Sequence, residues 1–205
     1  MALVLATLSC ATSSGKGGAL ADARRVDFLA ADGKVGIRID PRDGLVRVEG
    51  RRGTALATVR GEGDRLAVAD ANGRTVYYVE RPGSEERRLH VRSAADERVV
   101  YELKLDPDGD LKVRDESGRR ISVAKRRDYG YKVVSGDGET VARVRARSGK
   151  ISVRDPSGAT YLSTRASIPP DAVALLILEA LPIEAAAGLG VALAFWSPPE
   201  APAPP

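Results

Sequence analysis

Leu66-Ala-Val-Ala-Asp-Ala-Asn-Gly73 decides the fold of this chain. Leu66 and Val68 alternate with Arg65 and Ala67, the period of two that marks a strand with one buried face. The turn opens at Asp70, whose carboxylate can accept a bond from the backbone two residues on. It closes at Gly73, which takes a positive φ without steric cost. Three residues later Val76 belongs to a second apolar run, 75–79, so the segment reads as a β-hairpin. The same spacing returns at Leu111/Val113/Asp115/Gly118 and at Ile151/Val153/Asp155/Gly158. Looser copies stand at Val26/Phe28/Gly33, Val46/Val48/Gly53, Leu89/Val91/Asp96 and Tyr131/Val133/Gly138. The copies begin at 26, 46, 66, 89, 111, 131 and 151, a step of 20 to 23 residues. A fixed step of this length means one supersecondary unit repeated along the chain.

Seven hairpins predict a mainly β fold of about 12 to 14 short antiparallel strands, barrel-like in closure. The first unit is the poorest match, because Gly36 stands where the other units carry an apolar residue. Twelve strands is therefore the safer expectation. The recurring Asp and Gly residues serve as turn residues. The one stretch resembling a calcium loop, Asp106-Pro-Asp-Gly-Asp110, has its glycine at position 4 rather than 6 and strands instead of helices on either side. No metal and no cofactor are expected.

The 205 residues suffice for one domain with a real core. Aromatic residues are few, so Val, Leu, Ile and Ala must supply the packing. The net charge is +4 but unevenly spread: residues 111–154 carry 13 Lys or Arg against 5 Asp or Glu, or +8, which leaves −4 for the rest. Arg119, Arg120, Lys125, Arg126, Arg127, Arg143, Arg145 and Arg147 supply much of this excess. On alternating strands such residues keep a surface soluble, and the same residues are the candidate contacts for anionic lipid. Nucleic acid is disfavoured as a partner, since no nucleic-acid motif is visible and stacking aromatics are scarce.

The two ends depart from the repeat. Residues 1–9 form a short apolar run before the chain's single cysteine, Cys10, and 10–25 read as a linker rich in Gly and Ser. Thr7-Leu-Ser-Cys10 resembles the processing site of a bacterial lipoprotein signal peptide, though a positively charged leader segment is missing. That resemblance implies a lipid at Cys10 and an exported, membrane-anchored protein of the cell envelope. With Ala11 after the cysteine, the implied membrane in a Gram-negative cell is the outer one. Segment 169–196 is strongly apolar. Asp171 suits an N-cap, with a helix running to Leu181 and a second starting near Pro182. Glu179, Pro182 and Glu184 interrupt the run, which favours a buried helix over a membrane span. The tail 197–205 is Pro-rich and expected to be disordered.

A ring of about twelve strands is too wide for side chains alone to fill, and an apolar helix after the last strand is a natural filling. Hairpins such as 110–118, followed by an apolar helix, resemble the tubby C-terminal-like group, which includes the LURP-one-related and phospholipid-scramblase families. The resemblance covers about residues 26–196. It implies a 12-stranded barrel around a hydrophobic C-terminal helix, and an association with membranes or phosphoinositides, with no residue motif that carries a lipid site over. The chain departs from that group in having up to seven hairpins and a tail split by Pro182. A YD-repeat array of similar period competes with it, but its Tyr-Asp pair occurs only reversed, at Asp128-Tyr129.

Chemistry-bearing constellations are sparse. His90 is the only histidine and sits between Leu89 and Val91 in a strand pattern. No triad, phosphate loop or nucleophile elbow accompanies it, so no enzyme activity is expected. Two functions remain: a lipid-anchored envelope barrel that binds an envelope protein or supports the envelope, and a module whose basic face touches anionic lipid.

Overall fold

Residues 24–83 and 87–195 are described by a computed structural model. Cys10, the segments 1–9 and 10–23, and the tail 197–205 lie outside them. Among the described residues, fourteen strands form a closed antiparallel barrel in which every strand pairs with its neighbours in sequence and the last pairs with the first. The strands are β1 (Val26–Ala30), β2 (Val35–Arg42), β3 (Leu45–Glu49), β4 (Ala55–Glu62), β5 (Arg65–Ala69), β6 (Thr75–Glu80) and β7 (Arg88–Ser93). They continue as β8 (Val99–Leu105), β9 (Leu111–Asp115), β10 (Arg120–Arg127), β11 (Gly130–Ser135), β12 (Thr140–Arg147), β13 (Lys150–Arg154) and β14 (Thr160–Thr164).

The first unit, weakest in pattern, completes the ring. β1 pairs with β2 on one side and, through Leu29 and Ala30, with Ser163 and Leu162 of β14 on the other. Gly36, which broke the pattern, makes room there: a Cβ on it would lie 2.7 Å from Leu162 Cδ2. The closure abolishes the free edges that an open sheet would expose.

Each of the seven hairpins found in the sequence carries a one-residue register shift beside its turn, for example between Val68 and Ala69 or between Val153 and Arg154. The hairpins that join one unit to the next carry none. One rim of the barrel is therefore bulged all round and the other is plain. A bulge bends its strand and strengthens the local twist, which is what a closing sheet requires at its rim. At the plain rim Asp43-Gly44 and Ser148-Gly149 turn with positive φ at both residues, the geometry that matches strand twist in two-residue loops.

The turn chemistry is as the composition demands. Asp70 Oδ1 accepts the backbone N–H of Asn72 at 2.9 Å and of Arg74 at 3.0 Å, while Gly73 N–H bonds the Asp70 carbonyl at 3.0 Å. Asp115 and Asp155 repeat the arrangement. In the 106–110 loop, Asp106 is held by Lys104 and Lys112, and Asp110 Oδ1 accepts the Arg126 backbone N–H at 2.7 Å.

Two helices fill the ring. α1 (Pro170–Leu176) runs inward from the plain rim against β10, β11 and β12. α2 (Ile183–Phe195) returns against β4 to β7 and packs along α1. Ala172–Leu176 and Ala185–Ala192 are buried without a polar face. The helix boundaries differ from expectation. Pro169, not Asp171, is the N-cap, and α1 ends at Leu176 rather than Leu181. Pro170 fits the first helical position because its fixed φ suits the helix and its missing N–H has no partner there anyway. Asp171 then falls in the first turn, where its carboxylate complements the helix dipole. Beyond Leu176 the chain tightens into successive three-residue turns, with Leu178 N–H on the Leu175 carbonyl at 3.2 Å and Leu181 N–H on the Leu178 carbonyl at 3.1 Å. Among the described residues, no helix is long and apolar enough to cross a membrane.

Candidate anion-binding face

The outer wall shows two electrostatic regimes. Around β1–β3 and β6–β9 its cations are matched across strands: Arg38 with Asp27 at 2.7 Å and Glu49 at 3.6 Å, Arg92 with Glu80 at 2.5 Å, Arg88 with Glu102 at 3.6 Å. Around β10–β13 they are not. Lys125 stands opposite Lys132, Lys132 opposite Arg143, and Arg143 opposite Arg154. These four like charges form one outward row across four consecutive strands, and none has a carboxylate partner among the described residues. Like charges directly opposite each other destabilise a sheet by tenths of a kcal/mol up to about 1 kcal/mol per pair. A second row at the plain rim sets Arg147 opposite Lys150 and leaves Arg145 beside it, its guanidinium 5.3 Å from the Tyr129 ring centroid.

The structure divides the eight residues singled out by sequence. Lys125 and Arg143 belong to the central row, and Arg145 and Arg147 to the plain rim. Arg127 lies at that rim and bonds the Arg126 carbonyl at 2.6 Å. Arg126 pairs in register with Tyr131, an inward residue, so it belongs to the barrel mouth, packed over Gly109. Arg119 and Arg120 sit at the opposite, bulged rim, where Arg119 pairs with Asp115 at 3.1 Å. The expected single face is thus two clusters and three outliers, because the eight were gathered by sequence and not by register. Lys132, Lys150, Arg154 and Arg165 were missed as individual contacts. A register sum would have found three of them, Lys132, Lys150 and Arg154: in a hairpin, partners lie equidistant from the turn, as Lys125 and Lys132 do about Asp128-Tyr129 and Arg143 and Arg154 do about Ser148-Gly149.

Beside this face lies a groove of about 320 Å³ lined by Arg145, Arg147, Lys150, Arg154 and Arg165 with the hydroxyls of Ser148, Ser152 and Thr160. Among the described residues no carboxylate lines it. At the bulged rim, by contrast, Ile37, Tyr161, Leu178, Leu181 and Ile183 line an apolar recess of about 310 Å³ with one carboxylate, Glu179. Burial, aided by Glu179 and Asp155, pushes the Tyr161 phenol up to about 12.

The bulged rim also carries pH-sensitive turns. The Ser117 hydroxyl holds Asp115 below the usual carboxylate range, as Ser157 does for Asp155 and Ser135 for Asp137. A carboxylate whose pKa is lowered by folding stabilises the fold above its unfolded value, near 3.8 for these groups. That stabilisation is lost as pH falls through the lowered folded value. The urea midpoint is therefore expected to hold from pH 7 to about pH 4 and to fall below it. Asp155→Asn should flatten part of that fall; an unchanged acid limb would remove Asp155 from this account.

No protein-family model matches the chain, and no curated protein matches it in sequence. Among solved structures, an Arabidopsis thaliana protein known from an X-ray structure is similar over 69% of this chain and 79% of that one, at 18% identity and a TM-score of 0.42. BamB from Moraxella catarrhalis is similar over 69% of this chain and 74% of its own, at 11% identity and a TM-score of 0.30. Likenesses of this degree assign neither a family nor a partner.

Proposed function

We propose that this barrel is a non-enzymatic binding module that meets anionic membrane lipid through the β10–β13 wall and its plain rim. The observation that carries the reading is the row Lys125, Lys132, Arg143 and Arg154, four cations in register without carboxylate partners among the described residues. A fold that matches its charges elsewhere tolerates repulsion here, and an anionic surface would relieve it. The resemblance of the repeats to the tubby C-terminal-like group points the same way.

The test is vesicle co-sedimentation with a chain starting at Gly15. Binding to vesicles containing phosphatidylglycerol should weaken steeply between 50 and 300 mM salt, while equal binding to neutral vesicles would overturn the reading. Lys132→Glu gives two opposed effects. Its carboxylate would face Lys125 and Arg143 together, so stability should rise by about 0.5–1 kcal/mol, a Tm gain of roughly 1–4 °C. Vesicle affinity should fall severalfold in the same variant. A loss of both stability and binding would show instead that Lys132 is structural.

The second part of the proposal is a bacterial envelope lipoprotein tethered by lipid at Cys10. β1 begins at the plain rim, since Val26 pairs with Ile39 near the Asp43-Gly44 turn. The chain thus enters the barrel at the rim that carries Arg147 and Lys150, so a tether and the basic residues would face one membrane together. Metabolic labelling with a fatty-acid probe should mark the wild-type protein and not Cys10→Ala. Unlabelled wild type would remove the tether without touching the basic face.

A further inference from the structure

We infer that the groove between β12, β13 and the segment leaving β14 is a discrete oxyanion site, built for a ligand that carries two or more adjacent phosphate groups. This deepens the reading of the basic face and rests on it. Three separate pieces of chain converge on the groove: Arg145 and Arg147 from β12, Lys150 and Arg154 from β13, and Arg165 from just past β14. Alternation sends Arg154 outward opposite Arg143, but the two differ in what they bond. Arg143 donates to the carbonyls of Pro156 at 2.8 Å and Asp155 at 3.4 Å. The Arg154 Nε–H is shielded from solvent and has no hydrogen-bond partner among the described residues. A buried guanidinium N–H without an acceptor is costly. Phosphate and carboxylate oxygens are the acceptors whose geometry a guanidinium fork matches, and of the two only phosphate carries more than one negative charge per group.

Charge and size set the ligand class. The five cations around the groove exceed the charge of one phosphate ester, about −1.5 to −2 at neutral pH. A diphosphate comes closer to neutralising them. The volume of about 320 Å³ holds roughly ten waters at about 30 Å³ each, more than a single phosphate displaces. Ser148, Ser152 and Thr160 add hydroxyl donors for the remaining oxygens. The diphosphate can come from a lipid headgroup or from a soluble compound, and the chemistry recognised is the same.

Isothermal titration of the folded protein with inorganic pyrophosphate, at 150 mM salt, tests the site. One equivalent should bind per chain, with orthophosphate at least tenfold weaker. Arg154→Gln and Arg165→Gln should each weaken pyrophosphate at least tenfold, whereas Arg120→Gln, at the other rim, should not. Circular dichroism and Tm confirm that each variant is folded, and removing a cation from a like-charged cluster should not lower Tm. No saturable binding, or an Arg154→Gln protein that binds as wild type does, would overturn the site. If phosphatidylglycerol vesicles still bind in that case, the broader reading of the face survives; if they do not, both fall. Where pyrophosphate does bind, its release of protein from vesicles would support the site with a lipid headgroup as source. Retention on vesicles with pyrophosphate bound would support it with a soluble diphosphate as source.

Discussion

A chain ending at Ser167 is expected not to fold into the barrel. It should show no cooperative thermal transition and bind a dye that reports exposed apolar surface. Fourteen strands enclose more space than their own side chains fill; an eight-stranded ring is about the size at which side chains suffice. The inward residues of this wall are mostly Val and Leu, such as Val48, Val59, Leu66, Val68, Val91, Leu103 and Val153, each 0 or 1% exposed. α2 packs against β4 to β7 and α1 against β10 to β12, and these side chains share one buried cluster with both helices. Without the helices these side chains would face water, and each loses about 1.5–3 kcal/mol of burial. A few such losses exceed the 5–15 kcal/mol that holds a typical domain together. A cooperative transition in the truncated chain would show that the strand ring collapses onto itself and that the helices are an addition to a self-sufficient sheet.

Gly190→Leu is expected to cost about 3 kcal/mol, near the upper end for overpacking, and to lower Tm by roughly 6–12 °C at 2–4 °C per kcal/mol. α2 is pressed between two surfaces, and its glycines mark the contacts. A Cβ on Gly188 would lie 2.7 Å from Val68 Cγ2 and 2.9 Å from Val79 Cγ2, on the wall side. A Cβ on Gly190 would lie 2.7 Å from Leu176 Cγ and 3.2 Å from the Ala172 carbonyl oxygen, on the α1 side. Backbone at Ala172 cannot give way as a side-chain tip can, so Gly190 is the less tolerant of the two. Thermal unfolding of Gly190→Ala, Gly190→Leu and Gly73→Ala separates packing from backbone conformation. Gly73 has a φ of +82° and open space around it, so its alanine variant reports only conformational strain, about 1–2 kcal/mol. Equal Tm for Gly190→Leu and wild type would mean that the two helices are not in contact at this point.

The turns and strands were legible because their causes are local. Asp70, Asp115 and Asp155 bond backbone within four residues of themselves, and inward residues alternate along each strand whatever the partner strand is. The bulges were not legible, since a register shift exists only between two strands. The weak first unit was undervalued for the same reason. Gly36 looks like a failed strand residue until Leu162, more than a hundred residues later, is seen to occupy the space beside it. At the basic face, composition located the charge excess but not its grouping. Arg119 and Arg126 were counted with the others, yet one is paired with Asp115 and the other lies at the barrel mouth. Arg165, which lines the groove, lies outside the basic stretch altogether.

The sequence by itself determined seven hairpins, their turn residues, an apolar segment after Pro169 and an excess of positive charge in 111–154. Each of these follows from forces that act over a few residues: pleat alternation, side-chain bonds to nearby backbone, and the solvation of apolar or charged side chains. Only the tertiary structure decided that fourteen strands close, that α1 and α2 fold back inside the ring as a pair, and that Lys125, Lys132, Arg143 and Arg154 stand opposite one another. Closure depends on β1 meeting β14 across the whole chain, and the opposition of charges depends on register. Both are properties of contacts between segments, which no single segment encodes.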